Sequence, residues 1–128
     1  MEASLVLLIV FMFLDAVLEF GRAYNIYHIM TNAAREGARY AVAPPAGTTT
    51  LPTTSQVQDQ VNSFLSSGGV SGSTVTVSTI KETVNGADMD LTLVQVTTPY
   101  TFFVPQLLGI SNGTINLTTS SEMRNETN

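Results

Sequence analysis

The chain has 128 residues, of which 44% are hydrophobic and only 12% charged, with a formal net charge of −5. That charge fraction is about half the roughly 25% usual for soluble domains, and only Lys81 and Arg124 supply Lys or Arg beyond residue 40, so nothing clusters to neutralise phosphates and nucleic acid is argued against as a partner. With no Cys there is no disulfide framework, and a domain this small must gain stability from assembly or from packing on something larger.

The first forty or so residues read as one unbroken helix. Ala3 to Leu14 are almost wholly apolar, with Ser4 the interruption, and Ala16 to Leu18 extend the run past Asp15. No Pro or helix-ending Gly signal intervenes before Pro44-Pro45, which predicts a rod on the order of 60 Å at 1.5 Å rise per residue. A domain of this size cannot cover such a rod, so lipid or copies of the same helix must bury it. The apolar run is short for a dedicated span of about 20 residues unless Asp15 and Glu19 sit near an interface. No Lys or Arg precedes it and the helix runs on beyond it, unlike a secretory signal; the expectation is a processed chain whose leader has been removed.

Beyond Gly21 the helix turns amphipathic. Ile26, Ile29 or Met30, Ala33, Gly37 and Ala41 recur at three-and-four spacing and would face a partner surface. Ala33, Gly37 and Ala41 lie four apart, small enough for a neighbouring backbone to approach closely. Glu19 with Arg22 and Glu36 with Arg39 stand at helical pair spacing. Pro44-Pro45 stops the helix by removing amide donors, and a Gly/Thr/Pro linker runs from Ala46 to Thr54.

A short second helix is predicted from Ser55 as N-cap, with Val57, Val61, Phe64 and Leu65 as its apolar face and Gly68-Gly69 at its end. The remainder alternates as strands: Ser73 to Ile80 with Val75 and Val77 on one face, Leu91 to Val104 bent where Pro99 interrupts the amide ladder, and Thr114 to Ser121 with Ile115 and Leu117 inward. Asn85-Gly86 is the hairpin signal, and Leu107, Leu108 and Ile110 in the loop from Pro105 to Asn112 are placed to cap the core. The reading is an α+β chain divided into a helix over 1–43, a linker over 44–54 and a small head over 55–128.

At Glu19 to Val42 the wording becomes specific. The stretch EFGRAYNIYHIMTNAAREGARYAV resembles the helix signature of TadE-like pilins, above all in its EFGRA and NAAREGARYAV elements, and the ending TTSSEMRNE resembles that family's short closing strand with its Met-Arg pair. The resemblance implies a pilus-type filament subunit: made as a prepilin, cut by a prepilin peptidase, held in the inner membrane, then assembled by pilus machinery into a homo-oligomeric extracellular filament. Within that class stand a minor or priming subunit that stays in the inner membrane, and outside it a single-pass anchored binding module. Glu2 matches the family's acid near the mature N-terminus, at position two instead of about five. Either residues precede Met1 or the processing site differs. An unpaired carboxylate in hydrocarbon is costly, and pairing with the amino-terminal ammonium of an adjacent subunit would remove that cost and set axial register; the plain alternative is an exposed acid stabilised by the helix dipole.

Asp15, Glu19 and Arg22 form a candidate polar cluster in assembly. Asp15 and Glu19 also have the spacing of paired carboxylates for acid–base work, but no cleft, nucleophile or metal ligand accompanies them, and an Arg22-bridged or inter-subunit pairing is the better reading. His28 stands alone where a metal site needs three or four ligands, so it reads as a polar helix residue, and Tyr24, Tyr27 and Tyr40 read as gap-filling aromatics. No phosphate loop or nucleophile elbow occurs; the Gly68 to Gly72 stretch lacks the Lys-Thr and strand context. No catalytic residue, metal or cofactor is assigned. Asn112, Asn116 and Asn125 each begin an N-glycosylation triplet, although a Thr-rich segment also generates these by chance. The linker threonines, Thr48 to Thr54, are the corresponding candidates for O-linked sugars.

Overall fold

A single helix, α1 (Glu2–Val42), carries the whole molecule; in the computed structural model, which describes residues 2–84, 87–103, 109 and 113–125, its 41 residues span about 62 Å. It stops two residues before Pro44-Pro45. Then come α2 (Thr54–Ser67) and the strands β1 (Thr74–Val84), β2 (Ala87–Thr101) and β3 (Thr114–Arg124), which pair antiparallel in the order β1-β2-β3. The class is α+β, with both helices laid on one face of a three-stranded sheet.

Alternation along β2 decides that face. Thr92, Val94, Val96, Thr98 and Tyr100 are all buried, whereas hydroxyl pairs such as Thr97 with Thr118 and Thr101 with Thr114 line the outer face. Of the buried residues, Val94 and Val96 meet Met30, Ala33, Ala34, Ala38 and Ala41 of α1 and Val57, Val61 and Leu65 of α2 in one cluster, joined by Val70 and Val75. Polar groups in this layer find partners: the Thr31 hydroxyl donates to the Tyr27 carbonyl at 2.9 Å, which leaves the Thr119 hydroxyl to donate to Thr31 across 3.3 Å. The core therefore lies wholly on the C-terminal half of α1.

Helix α2 starts earlier than its sequence predicts. Thr53, not Ser55, is the N-cap, in a reciprocal box where the Gln56 amide donates to the Thr53 hydroxyl at 3.4 Å and the Thr53 amide donates to Gln56 Oε1 at 2.9 Å. Gln58, the residue that Ser55 would need for the same box, instead donates to the Val75 carbonyl at 3.0 Å and ties α2 to β1. Thr53→Ala is expected to cost about 1 kcal/mol, read as a lower melting temperature with unchanged near-native spectra. The other end closes as foreseen: Gly69 at φ 76° lets the Val70 amide reach the Leu65 carbonyl and the Gly69 amide reach that of Ser66, a Schellman closure with Val70 tucked into the core.

The strands run to different limits from those expected. Register continues from Ile80↔Leu91 to Val84↔Ala87, so β1 extends four residues beyond Ile80 and β2 begins at Ala87, because a two-residue connection keeps both strands paired to the turn. Asn85 and Gly86, the expected hairpin signal, lie outside the described residues, as do Val104 and the expected capping residues Leu107, Leu108 and Ile110, together with Asn112. At Pro99 the ladder is not broken: Pro99 pairs with Asn116 in unbroken register with β3. The last β1 pair is Thr74↔Thr97, so Pro99 sits where β2 has a neighbour on one side only, the setting in which a missing amide donor is tolerated.

Candidate functional site

The surface that sets this molecule apart is the N-terminal half of α1. Every large apolar side chain from Leu5 to Leu14 is between 49 and 70% exposed, and no residue of the most apolar stretch is covered by the rest of the chain. The helix is long and apolar enough to cross a membrane. Ten such side chains, at about 1.5–3 kcal/mol each, represent roughly 15–30 kcal/mol of transfer free energy, as an upper bound, left unclaimed by folding.

Where the bare half ends, the head is clamped to the rod through one carboxylate. Glu19 has its side chain 12% exposed, and its two oxygens are divided between partners far away in sequence. The Tyr100 hydroxyl donates to Oε1, and the Phe103 amide donates to Oε2 at 3.3 Å. Arg22 approaches Oε1 at 3.9 Å while its guanidinium carbon stands 5.5 Å from the centre of the Tyr100 ring, so one cation serves both the carboxylate and the aromatic face. Tyr100 itself is 3% exposed and stacks edge-on against Phe102 at 5.1 Å.

Burial first, then the Glu19 hydrogen bond and charge, push the Tyr100 hydroxyl from 10.0 up to about 12, against a smaller opposing pull from Arg22. A raised acid constant means that the folded state favours the neutral hydroxyl. The resulting stability is complete below pH 10, where the unfolded tyrosine is also neutral, and is lost as pH climbs through about 12. Tyr100→Phe is therefore expected to cost about 1–3 kcal/mol at neutral pH, since it leaves the Glu19 carboxylate short of a donor. The gap between variant and parent should narrow across pH 10 to 12 in urea titrations; a constant gap would remove the clamp from the account.

Flanking the clamp, an open apolar groove of about 520 Å³ runs between α1 and the sheet, lined by Ala16, Phe20, Ala23 and Tyr27 on one side and by Phe102, Ile115 and Leu117 on the other. Leu117 packs on the core, but Ile115 faces this groove and stays 44% exposed. A smaller hollow on the other side is lined by Asp15, Leu18, Glu19, Arg22 and Phe103. The proposed polar cluster is thus partly assembled within one chain. Glu19 and Arg22 meet, and Asp15 shares their hollow, exposed and, among the described residues, without an ion-pair partner. Tyr100 and the Phe103 amide, absent from the sequence reading, are the groups that hold Glu19.

The other candidates fall as follows. Glu2 is the first residue of α1, and its side chain lies outside the described residues. Ala33, Gly37 and Ala41 are buried, and their partner is the head of the same chain: a Cβ on Gly37 would collide with the Val61 Cγ2 methyl and lie 3.4 Å from Val94. The second charged pair forms, with Arg39 donating to both Glu36 oxygens at 2.7 and 3.1 Å, and the guanidinium holds the Glu36 carboxyl below its ordinary range. His28 is exposed on α1 and stands edge-on to Tyr24 at 4.5 Å. Tyr40 packs on the core, while Tyr24 and Tyr27 remain exposed. Among the described residues no three His, Cys, Asp or Glu side chains cluster as a metal ion would require. Asn116 is exposed on β3, and Asn125 accepts from the Thr92 hydroxyl at 2.9 Å.

Fold and site together place α2 and the sheet on the C-terminal half of a membrane-length helix whose N-terminal half is bare. Residues 1–39 match the family model of TadE-like proteins, so the likeness to that family lies in α1. The match ends inside α1 and leaves the head to be described by its own geometry. No curated protein and no solved structure matches the chain. The family match and the apolar helix fit a membrane-anchored, pilus-associated protein.

Proposed function

We propose that this protein is a structural subunit of a pilus-type filament that polymerises through residues 3–18 of α1. The observation that carries this reading is the division of the rod. The small-residue stripe at Ala33, Gly37 and Ala41 is buried against the same chain, so the longest unbroken apolar surface left for other subunits is the bare half. Before assembly the inner membrane shelters this half; in the filament, sibling helices take the place of lipid. Release by a prepilin peptidase and handling by pilus assembly machinery belong to the same proposal, as does Glu2 in setting the register between neighbours. The hydroxyl-rich outer face of the sheet would form the filament wall. The role is structural, without catalysis.

Shearing cells and identifying the released filaments by mass spectrometry tests it. The expected result is this chain as the dominant component of filaments visible by negative-stain electron microscopy, with filaments shorter or fewer in Glu2→Ala cells. A chain that stays wholly in the membrane fraction and monomeric would overturn the polymer reading.

A further inference from the structure

We propose that the base of the head, formed by Phe103 together with the Leu18 to Tyr24 turns of α1, rests in the interfacial layer of the bilayer that holds residues 3–18. The inference rests on membrane anchoring and is independent of polymerisation. Residues 3 to 20 rise about 26 Å along the helix, close to the roughly 30 Å of a hydrocarbon core. If that stretch is immersed, the lipid boundary falls at Leu18 to Tyr24. The head does not stand clear of this level. Its Phe103 amide is bonded to Glu19 at 3.3 Å, and Phe103 shares a hollow with Leu18 and Arg22.

The residues exposed at this height have the composition of a lipid interface. Phe103 is 59% exposed, Phe20 71% and Leu18 72%, while Tyr24 stacks on Phe20. Tyr24, with an apolar ring and a wet hydroxyl, is of the kind that concentrates at the boundary between lipid and water, and exposed Phe and Leu side chains are the ones that interfacial helices bury at that level. Arg22, with 63% of its side chain exposed, stands beside them at the level of lipid phosphates, and Asp15, about two turns deeper, opens into the same hollow. A dry contact with a second copy would instead be depleted of charge at its centre. Lipid is therefore the occupant that fits a surface mixing aromatic rings, an arginine and a carboxylate.

The chain contains no Trp, so single substitutions report without background. Phe103→Trp, Phe20→Trp and, as a control on the exposed hairpin, Ile80→Trp would be placed in the full chain and reconstituted into phosphatidylcholine vesicles. Quenching by nitroxide labels high on the acyl chain would be compared with quenching by aqueous iodide. Phe103→Trp and Phe20→Trp are expected to show the same shallow depth, with nitroxide quenching several-fold above that of Ile80→Trp and little response to iodide. Iodide access at position 103 equal to that at position 80, in chains that float with vesicles, would overturn the proposal while leaving anchoring intact. Shielding that grows with the protein-to-lipid ratio would overturn it in favour of a second copy. Failure to float would overturn anchoring and this inference together. Phe20→Trp lies on α1 itself, so a deep or fully aqueous reading there refutes the proposed level even if Phe103→Trp disturbs the head.

Discussion

Gly37→Leu is expected to lower the melting temperature of the detergent-solubilised chain by about 10–20 °C, the shift that roughly 2–3 kcal/mol of overpacking produces in a domain of this size. Gly37 lies at a close approach of α1 to α2: any Cβ there meets the Val61 Cγ2 methyl, with Val94 of β2 at 3.4 Å. Val61 is itself fully buried and has nowhere to retreat, so α2 must lift away from α1 and loosen the cluster of Val57, Val61 and Leu65. Gly21→Leu is the matched control. Nothing lies within 4 Å of a Cβ at Gly21, so the same change there should stabilise the helix by up to about 1 kcal/mol through reduced backbone entropy. Circular dichroism melts of the two variants would decide it, and equal melting temperatures would show that the head does not depend on this contact.

Val10→Asp should reduce membrane association about a hundredfold, whereas Leu18→Asp should leave it nearly unchanged. Both positions are at least half exposed in the isolated chain, so in water the two changes would differ little. In a bilayer their depth separates them. Val10 is about midway along residues 3–18, where a carboxylate costs about 2.5–3.5 kcal/mol, while Leu18 stands at the boundary beside Arg22, where the charge can reach water. The share of each variant that floats with vesicles measures this directly. An equal response at the two positions would mean that α1 is not crossing a bilayer at the level assigned to it.

Much of this architecture was legible locally. The length of α1 follows from an apolar pattern that meets no breaker until Pro44-Pro45, and the closing of α2 follows from Gly68-Gly69. The three strands follow from alternation, and the resemblance to TadE-like proteins from the EFGRA and NAAREGARYAV elements, a signature confined to the helix. The N-cap of α2 was missed because the local signal is degenerate: Thr53 with Gln56 and Ser55 with Gln58 are equally good capping boxes, and only β1, by engaging Gln58 at the Val75 carbonyl, leaves the first to form. Strand limits moved for a comparable reason, since β1 is held to Val84 by its pairing with β2 and not by its own side chains.

The site shows the same division. The carboxylate of Glu19 was visible as an acid near the end of an apolar run, but Tyr100 and Phe103 lie 81 and 84 residues further on, with no periodic or motif signal to connect them. Likewise the stripe of Ala33, Gly37 and Ala41 declares only that something comes close. Sequence by itself determined that a membrane-length helix carries a small sheet-and-helix head, because those choices rest on hydrophobic period, breakers and turn residues within a few positions of one another. Tertiary structure alone decided which half of the rod the head covers, because that depends on α2 and β2 meeting α1 at Gly37 and on Glu19 closing the junction, contacts between distant segments whose free energy exists only once the chain has folded.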